Sequence, residues 1–129
     1  EATNYFDTDK MISNDYKTKI TINKKEMADC IDRATLLIKE GDKKPVFLTI
    51  KDTEMELSIN TFIGSMDESI PISKEGSDIM ISFNPKFLID ILKVLDQEQV
   101  SIFFTNPKAP CFIRDEENSY IYIVLPVVQ

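Results

Sequence analysis

From Asp78 to Leu95 the chain reads DIMISFNPKFLIDILKVL, and its apolar positions change period once along the way. Ile79, Ile81 and Phe83 sit two residues apart, as in a strand with one buried face. Leu88, Ile91, Leu92 and Leu95 then recur at the 3.6-residue spacing of a helix with one apolar stripe. Asn84-Pro85 stands at the change. An Asn there can accept a hydrogen bond from a free first-turn N–H, and a Pro next to it gives up only an N–H that has no helical partner.

The same grammar occurs earlier. A shift of 61 positions, from Asn84 back to Asn23, lays Ile20-Thr21-Ile22-Asn23 on Ile81-Ser82-Phe83-Asn84, and Met27, Ile31, Ala34 and Ile38 supply the first helix's stripe. Lys25 and Asp29, like Lys86 and Asp90, stand four apart, which predicts a charge-paired outer face on each helix. The repeat continues at a shorter offset of 55, where Ile70-Pro71-Ile72 meets Leu125-Pro126-Val127. The pattern predicts a β-α-β-β-β unit used twice, about 18–72 and 78–127. This is an α+β fold with two helices packed on antiparallel sheet.

In the first copy the pattern places strands at Thr18–Ile22, Val46–Ile50, Met55–Asn60 and about Ser65–Ile72, and a helix from Lys24 to about Glu40 stopped by Gly41. Ser73–Ser77 reads as a polar joint. The second copy has a strand over Asp78–Phe83, a helix from Pro85 to about Asp96, and strands near Val100–Phe104, Cys111–Arg114 and Tyr120–Leu125. Residues 1–16 show no period, and Tyr5, Phe6, Met11 and Ile12 are apolar points in what reads as a docked linker ahead of a single domain over 17–129.

Composition narrows the function. The 129 residues are 43% hydrophobic, enough for one sizeable core. No run approaches the ~20 apolar residues of a membrane helix, and no signal segment is visible, so a soluble, cytoplasmic protein with no membrane role is expected. The start at Glu1 suggests a piece of a longer protein. With no histidine, the commonest general base and metal ligand are missing, and no metal or other cofactor is expected. Gly41, Gly64 and Gly76 are isolated, so no phosphate cradle exists. Cys30 and Cys111 lack paired spacing and read as reduced structural thiols. Asp67-Glu68 and Asp115-Glu116-Glu117 fall at turns or strand edges, where solvated charge is ordinary and nothing tunes a carboxylate for catalysis. A net charge of -7 argues against a simple basic nucleic-acid binder but leaves room for positive charge confined to one surface.

Three features remain over. Phe87 lies outside the stripe of its helix, at a position where the first copy has Glu26. It is either a helix-end aromatic at the core edge or an apolar wall of a peptide groove. The run Ile121–Val128 is apolar on both sides, more than two helices can cover. Leu36 and Leu37, beside Ile38, make the end of the first helix apolar nearly all round; core packing explains one or two of them, and a subunit contact would explain the rest.

Four strings carry a family resemblance: DRATLLIKEG (Asp32–Gly41), ISFNPKFLIDILKVLD (Ile81–Asp96), NPKAPCFIRDEE (Asn106–Glu117) and YIYIVLPV (Tyr120–Val127). From about Asn4 to Val127 the chain resembles the C-terminal, third domain of the bacterial DNA polymerase III beta subunits, the sliding clamps, although Phe6 replaces a typical Pro and Lys10 a frequent Arg. The resemblance implies a non-catalytic homodimeric ring of three similar domains per protomer. It would encircle duplex DNA without sequence preference and tether the replicative polymerase, the clamp loader and other clamp-binding-motif proteins. Helices would line the hole, with Lys25, Arg33, Lys86 and Lys93 as DNA-facing candidates. Matching positions give a peptide groove of Lys10, Met11, Asn84, Phe87, Pro110, Ile123, Val124, Leu125 and Pro126. The protomer contact falls on Leu36 and Leu37 with an edge strand near Thr61–Ser69. The rival readings are an unrelated α+β protein-binding module with no nucleic-acid role and, more distantly, an enzyme using the acidic turns.

Overall fold

The computed structural model describes residues 16–38, 44–61, 64–95, 97–115 and 120–127. Within them β1 (Thr18–Asn23) leads into α1 (Lys24–Thr35), followed by β2 (Val46–Ile50), β3 (Glu54–Thr61) and β4 (Gly64–Gly76). Then β5 (Ile79–Phe83) leads into α2 (Pro85–Val94), followed by β6 (Gln99–Phe104), β7 (Cys111–Asp115) and β8 (Tyr120–Val124). The doubled unit is therefore present. All pairings are antiparallel, in the order β5-β2-β3-β4-β1-β6-β7-β8.

Both helix starts follow from their caps. The Asn23 side chain accepts from the Glu26 N–H at 2.9 Å, and Asn84 accepts from the Lys86 N–H at 2.9 Å, with Pro85 at the first helical position. The stripes Met27, Ile31, Ala34 and Leu88, Ile91, Leu92, Leu95 are at most 1% exposed, so both helices pack one face against the same side of the sheet. Alternate strand residues, such as Leu48, Leu57, Ile81, Ile102, Ile113 and Val124, rise to meet them. Each such fully buried side chain contributes about 1.5–3 kcal/mol of hydrophobic stabilisation.

The structure corrects several boundaries. α1 stops at Thr35, short of Glu40. The Leu36, Leu37 and Ile38 N–H groups reach back only three residues, to Arg33, Ala34 and Thr35 at 3.1–3.2 Å, and the Thr35 hydroxyl donates to the Asp32 carbonyl at 2.7 Å. These tighter bonds unwind the α pattern. Gly41, the expected stop, lies outside the described residues. α2 ends at Val94 because Leu95 turns extended, and the Leu95 carbonyl accepts from Lys24 Nζ at 2.6 Å. Lys25 and Asp29 pair at 3.1 Å, but Lys86 and Asp90 form no ion pair with each other.

Ser73–Ser77 is not a loose joint. Its residues up to Gly76 continue β4 and pair with β1, from Ile22↔Ile72 to Thr18↔Gly76. Exposed polar side chains disguise a strand whose order comes from its neighbour. Gly76 is required there, since its φ of +101° suits glycine and an added Cβ would lie 2.0 Å from the Lys17 carbonyl oxygen. Beside it the nearly buried Lys74 ammonium bridges Asp52, at 3.2 Å, and Asp78, tying the β2–β3 turn to the start of the second copy.

The two copies close differently. β4 pairs with β3 over Gly64–Pro71 and switches to β1 from Ile72 onward. The equivalent strand of the second copy, β8, ends at Val124. Its tail reaches the opposite edge of the sheet through Val127, whose N–H donates to the Ser82 carbonyl at 2.9 Å and whose carbonyl accepts from Ser82 Oγ at 2.7 Å. Beyond this contact the first and last strands of the sheet order, β5 and β8, share no ladder.

Candidate functional site

Where the second copy stops being a strand, its apolar residues come to the surface. Leu125, the first residue after β8, is 59% exposed, with Pro126 and Val127 half-buried behind it. Cys111 faces Val124 across the β7–β8 ladder, so Pro110 comes opposite Leu125 as the two strands leave the sheet. Phe87 stands 41% exposed in the first turn of α2, a helix that also touches β8. The Asn84 side chain caps that turn and fixes where Phe87 starts. A shelf of Phe87, Pro110, Leu125 and Pro126 thus borders the end of β8.

Other expected groove positions have different places. Val124 is completely buried in the main core, backbone and side chain alike. Ile123 points to the opposite face of the sheet from the helices. There it joins Phe103, Phe112 and Ile121 in a smaller apolar cluster that Tyr16 covers edge-on, with ring centroids of Tyr16 and Phe103 5.0 Å apart. The Lys19 ammonium sits 5.6 Å above the Phe103 ring. Lys10 and Met11 lie outside the described residues.

The candidate DNA-facing residues are exposed on the helices, but not equally free. Arg33 Nε and Nη2 donate to the two Glu68 carboxylate oxygens at 2.8 and 2.5 Å. This fork holds the Glu68 carboxyl below its ordinary range and raises Arg33 further. Burial, with Glu68 nearby, pushes the Cys30 thiol up to about 11, and burial raises Cys111 as well; both are free thiols. Lys25 is shared with Asp29, whereas Lys86 and Lys93 form no ion pair among the described residues.

At the other end of α1, Leu36 is 77% exposed, while Leu37 packs against the core. Leu37 Cδ2 lies 3.7 Å from where a Gly64 Cβ would stand, so this leucine pair adjoins the start of β4. Over Gly64–Pro71 the strand has β3 on one side only, which leaves an open edge next to Leu36 among the described residues.

One lining was missed in the sequence. A concavity of about 190 Å³ is bounded by Phe47, Met80, Ser82, Pro107, Lys108 and Val127, on the face of the sheet away from the helices. Its signal was present. Phe47 and Met80 occupy outward positions in their strands, on a face otherwise carrying Thr49, Glu56, Ser58 and Asp67. Among the described residues no three His, Cys, Asp or Glu gather as a metal site, and no helix is long and apolar enough to cross a membrane.

Residues 9–128 match the family model for the C-terminal domain of the DNA polymerase III beta subunit. The chain belongs to this family. It is similar to the beta sliding clamp of Bacillus subtilis, at 40% identity over 96% of the chain and 34% of the relative. Solved DNA polymerase III beta subunits agree. One from Eubacterium rectale superposes with a TM-score of 0.87 at 62% identity, covering 96% of this chain and 34% of that one. The Bacillus subtilis sliding clamp superposes with a TM-score of 0.86 at 38% identity, covering 98% and 34%. The chain therefore spans about a third of the length of its beta subunit relatives. The rival reading of an unrelated α+β module is not favoured, and the domain shares its fold with sliding clamps.

Proposed function

We propose that this chain is the third domain of a sliding clamp protomer, working without catalysis as part of a homodimeric ring that encircles duplex DNA. The observation that carries this reading is the match of residues 9–128 to the C-terminal domain of the family, in a chain about a third as long as its relatives. The chemistry is compatible. With a net charge of -7, the domain discourages DNA from adhering to its general surface. Lys86 and Lys93, with Lys25 and Arg33 partly neutralised beside them, offer a few phosphate contacts that carry no sequence preference. Enclosure rather than affinity then retains the DNA.

In the same reading, the exposed Leu36, the half-buried Leu37 beside it and the open edge of β4 form the protomer contact. The shelf of Phe87, Pro110, Leu125 and Pro126, completed by Asn84, Ile123, Lys10 and Met11 and backed by the buried Val124, is this domain's share of a groove for linear motifs of the polymerase, clamp loader and other replication proteins. Their cytoplasmic setting follows from that role.

The test is topological. The full-length protein, loaded on nicked circular duplex DNA by a clamp loader, should stay bound through a wash at ~0.5 M salt and come off when the circle is linearised. Electrostatic contacts weaken steeply with salt, whereas a closed ring does not. Equal loss from circles and linear DNA would refute the ring.

A further inference from the structure

We propose that the concavity between Phe47, Met80 and Val127 is an additional subsite of this groove, taking an apolar side chain that flanks the bound motif and an acidic group next to it. The inference rests on the groove reading and deepens it. The concavity adjoins the shelf along the chain, because Val127, which lines it, follows Leu125 and Pro126 directly and is pinned to β5 by its two hydrogen bonds with Ser82. A peptide crossing Leu125 and Pro126 meets this hollow next.

The lining sets the chemistry. Phe47, Met80, Pro107 and Val127 present apolar surface, and the Ser82 hydroxyl is already donating to Val127. At about 190 Å³ the space is below the ~300–1,000 Å³ of small-molecule sites, which suits one aliphatic or aromatic side chain. Met80 is 59% exposed beside Phe47 on a face where the neighbouring residues of β2 and β3 are the polar Thr49, Glu56 and Ser58, so apolar area there is uncovered. At the rim the Asn106 side chain accepts from the Lys108 N–H at 2.8 Å, and the Asn106 carbonyl accepts from the Ala109 N–H at 3.2 Å, which fixes the turn. The exposed Lys108 ammonium forms no ion pair among the described residues, and an acidic side chain or terminal carboxylate of the partner complements it.

The test uses fluorescence anisotropy on the full-length protein with a labelled linear-motif peptide of sequence QLSLF, whose bulky apolar residues suit the groove, and with two longer peptides, extended by Gly-Leu-Glu at the C terminus or by Glu-Leu-Gly at the N terminus. One extended peptide should bind about 5–10-fold more tightly than QLSLF, the gain of one buried side chain and one rim charge after ordering costs. Lys108→Glu and Met80→Ser, both at exposed positions, should erase that gain and leave QLSLF affinity and melting temperature unchanged. If QLSLF binds but neither extension improves affinity, or the gain survives both substitutions, this subsite is refuted and the groove stands. If QLSLF binding is also insensitive to Leu125→Ala, the groove reading fails and takes the subsite with it.

Discussion

Leu125→Ala separates a binding role from a structural one, because the side chain is mostly outside the fold. A fully buried leucine contributes about 1.5–3 kcal/mol. With 59% of Leu125 still exposed, the part left for a ligand to cover is worth about 1–2 kcal/mol, and the part already covered contributes about 1 kcal/mol or less to folding. Truncation should therefore weaken peptide binding to the full-length protein by about 5–30-fold. It should lower the melting temperature by no more than ~5 °C, given that 1 kcal/mol shifts a domain of this size by a few degrees. The assay is a titration of labelled QLSLF against wild type, Leu125→Ala and Phe87→Ala, with melting curves on the same samples. The isolated chain should bind the same peptide more weakly, since the groove's other wall would come from a preceding domain. Unchanged affinity in both variants would refute the reasoning. A melt lowered by 10 °C or more would show instead that Leu125 is a core residue misjudged as a ligand contact.

Three further outcomes follow from other parts of the fold. Leu36→Asp in the full-length protein should give a monomer by sedimentation with the domain's melting temperature intact, since a 77% exposed side chain contributes little to its own core; a dimer that melts early would overturn the interface. Gly76→Ala should lower stability by about 2–4 kcal/mol in urea titration, because the left-handed backbone and the 2.0 Å approach to Lys17 O cannot both be kept; a change under 0.5 kcal/mol would mean that β1 and β4 can part there freely. Glu68 has its carboxyl held below the ordinary 4.5 by Arg33, so the stability this adds is present above pH 4.5 and drains away as pH falls through the lower folded value. Glu68→Gln should accordingly be less stable than wild type at pH 7, with the gap closing toward pH 3, and a gap independent of pH would point to packing.

The doubled unit was legible because its signals are local. Asn23 and Asn84 cap, the apolar stripes keep helical spacing, and both copies use the same order of elements. Local signals also explain the errors. The end of β4 from Ser73 to Gly76 has no apolar alternation, and only its pairing with β1 makes it a strand. Sequence spacing alone made Lys86 and Asp90 look like a pair equivalent to Lys25 and Asp29, whereas the ion pair forms only in the first copy. Arg33 looked free for DNA because its partner, Glu68, is distant in sequence and arrives by sheet register. Phe87 stood out as an apolar residue outside its helix's stripe, and Leu125 as part of a run apolar on both sides. Phe47 and Met80 did not, since each is a lone apolar residue on the outward side of its own strand, and only the β2–β5 pairing sets them near one another.

The unequal closure of the two copies has a mechanical consequence. Where β4 runs on beside β1, the first half closes on itself, and the neighbouring β1–β6 ladder joins it to the second, so any opening there must break a ladder. At the other flank the sheet is fastened through Val127 and Ser82, so residues 125–127 act as a clasp between β8 and β5. Rearrangement at the clasp does not require the strands behind it to separate, and residues there are free to diversify without a toll on the core. Duplication with imperfect symmetry has thus left one seam of the domain sealed for strength and the other available for traffic.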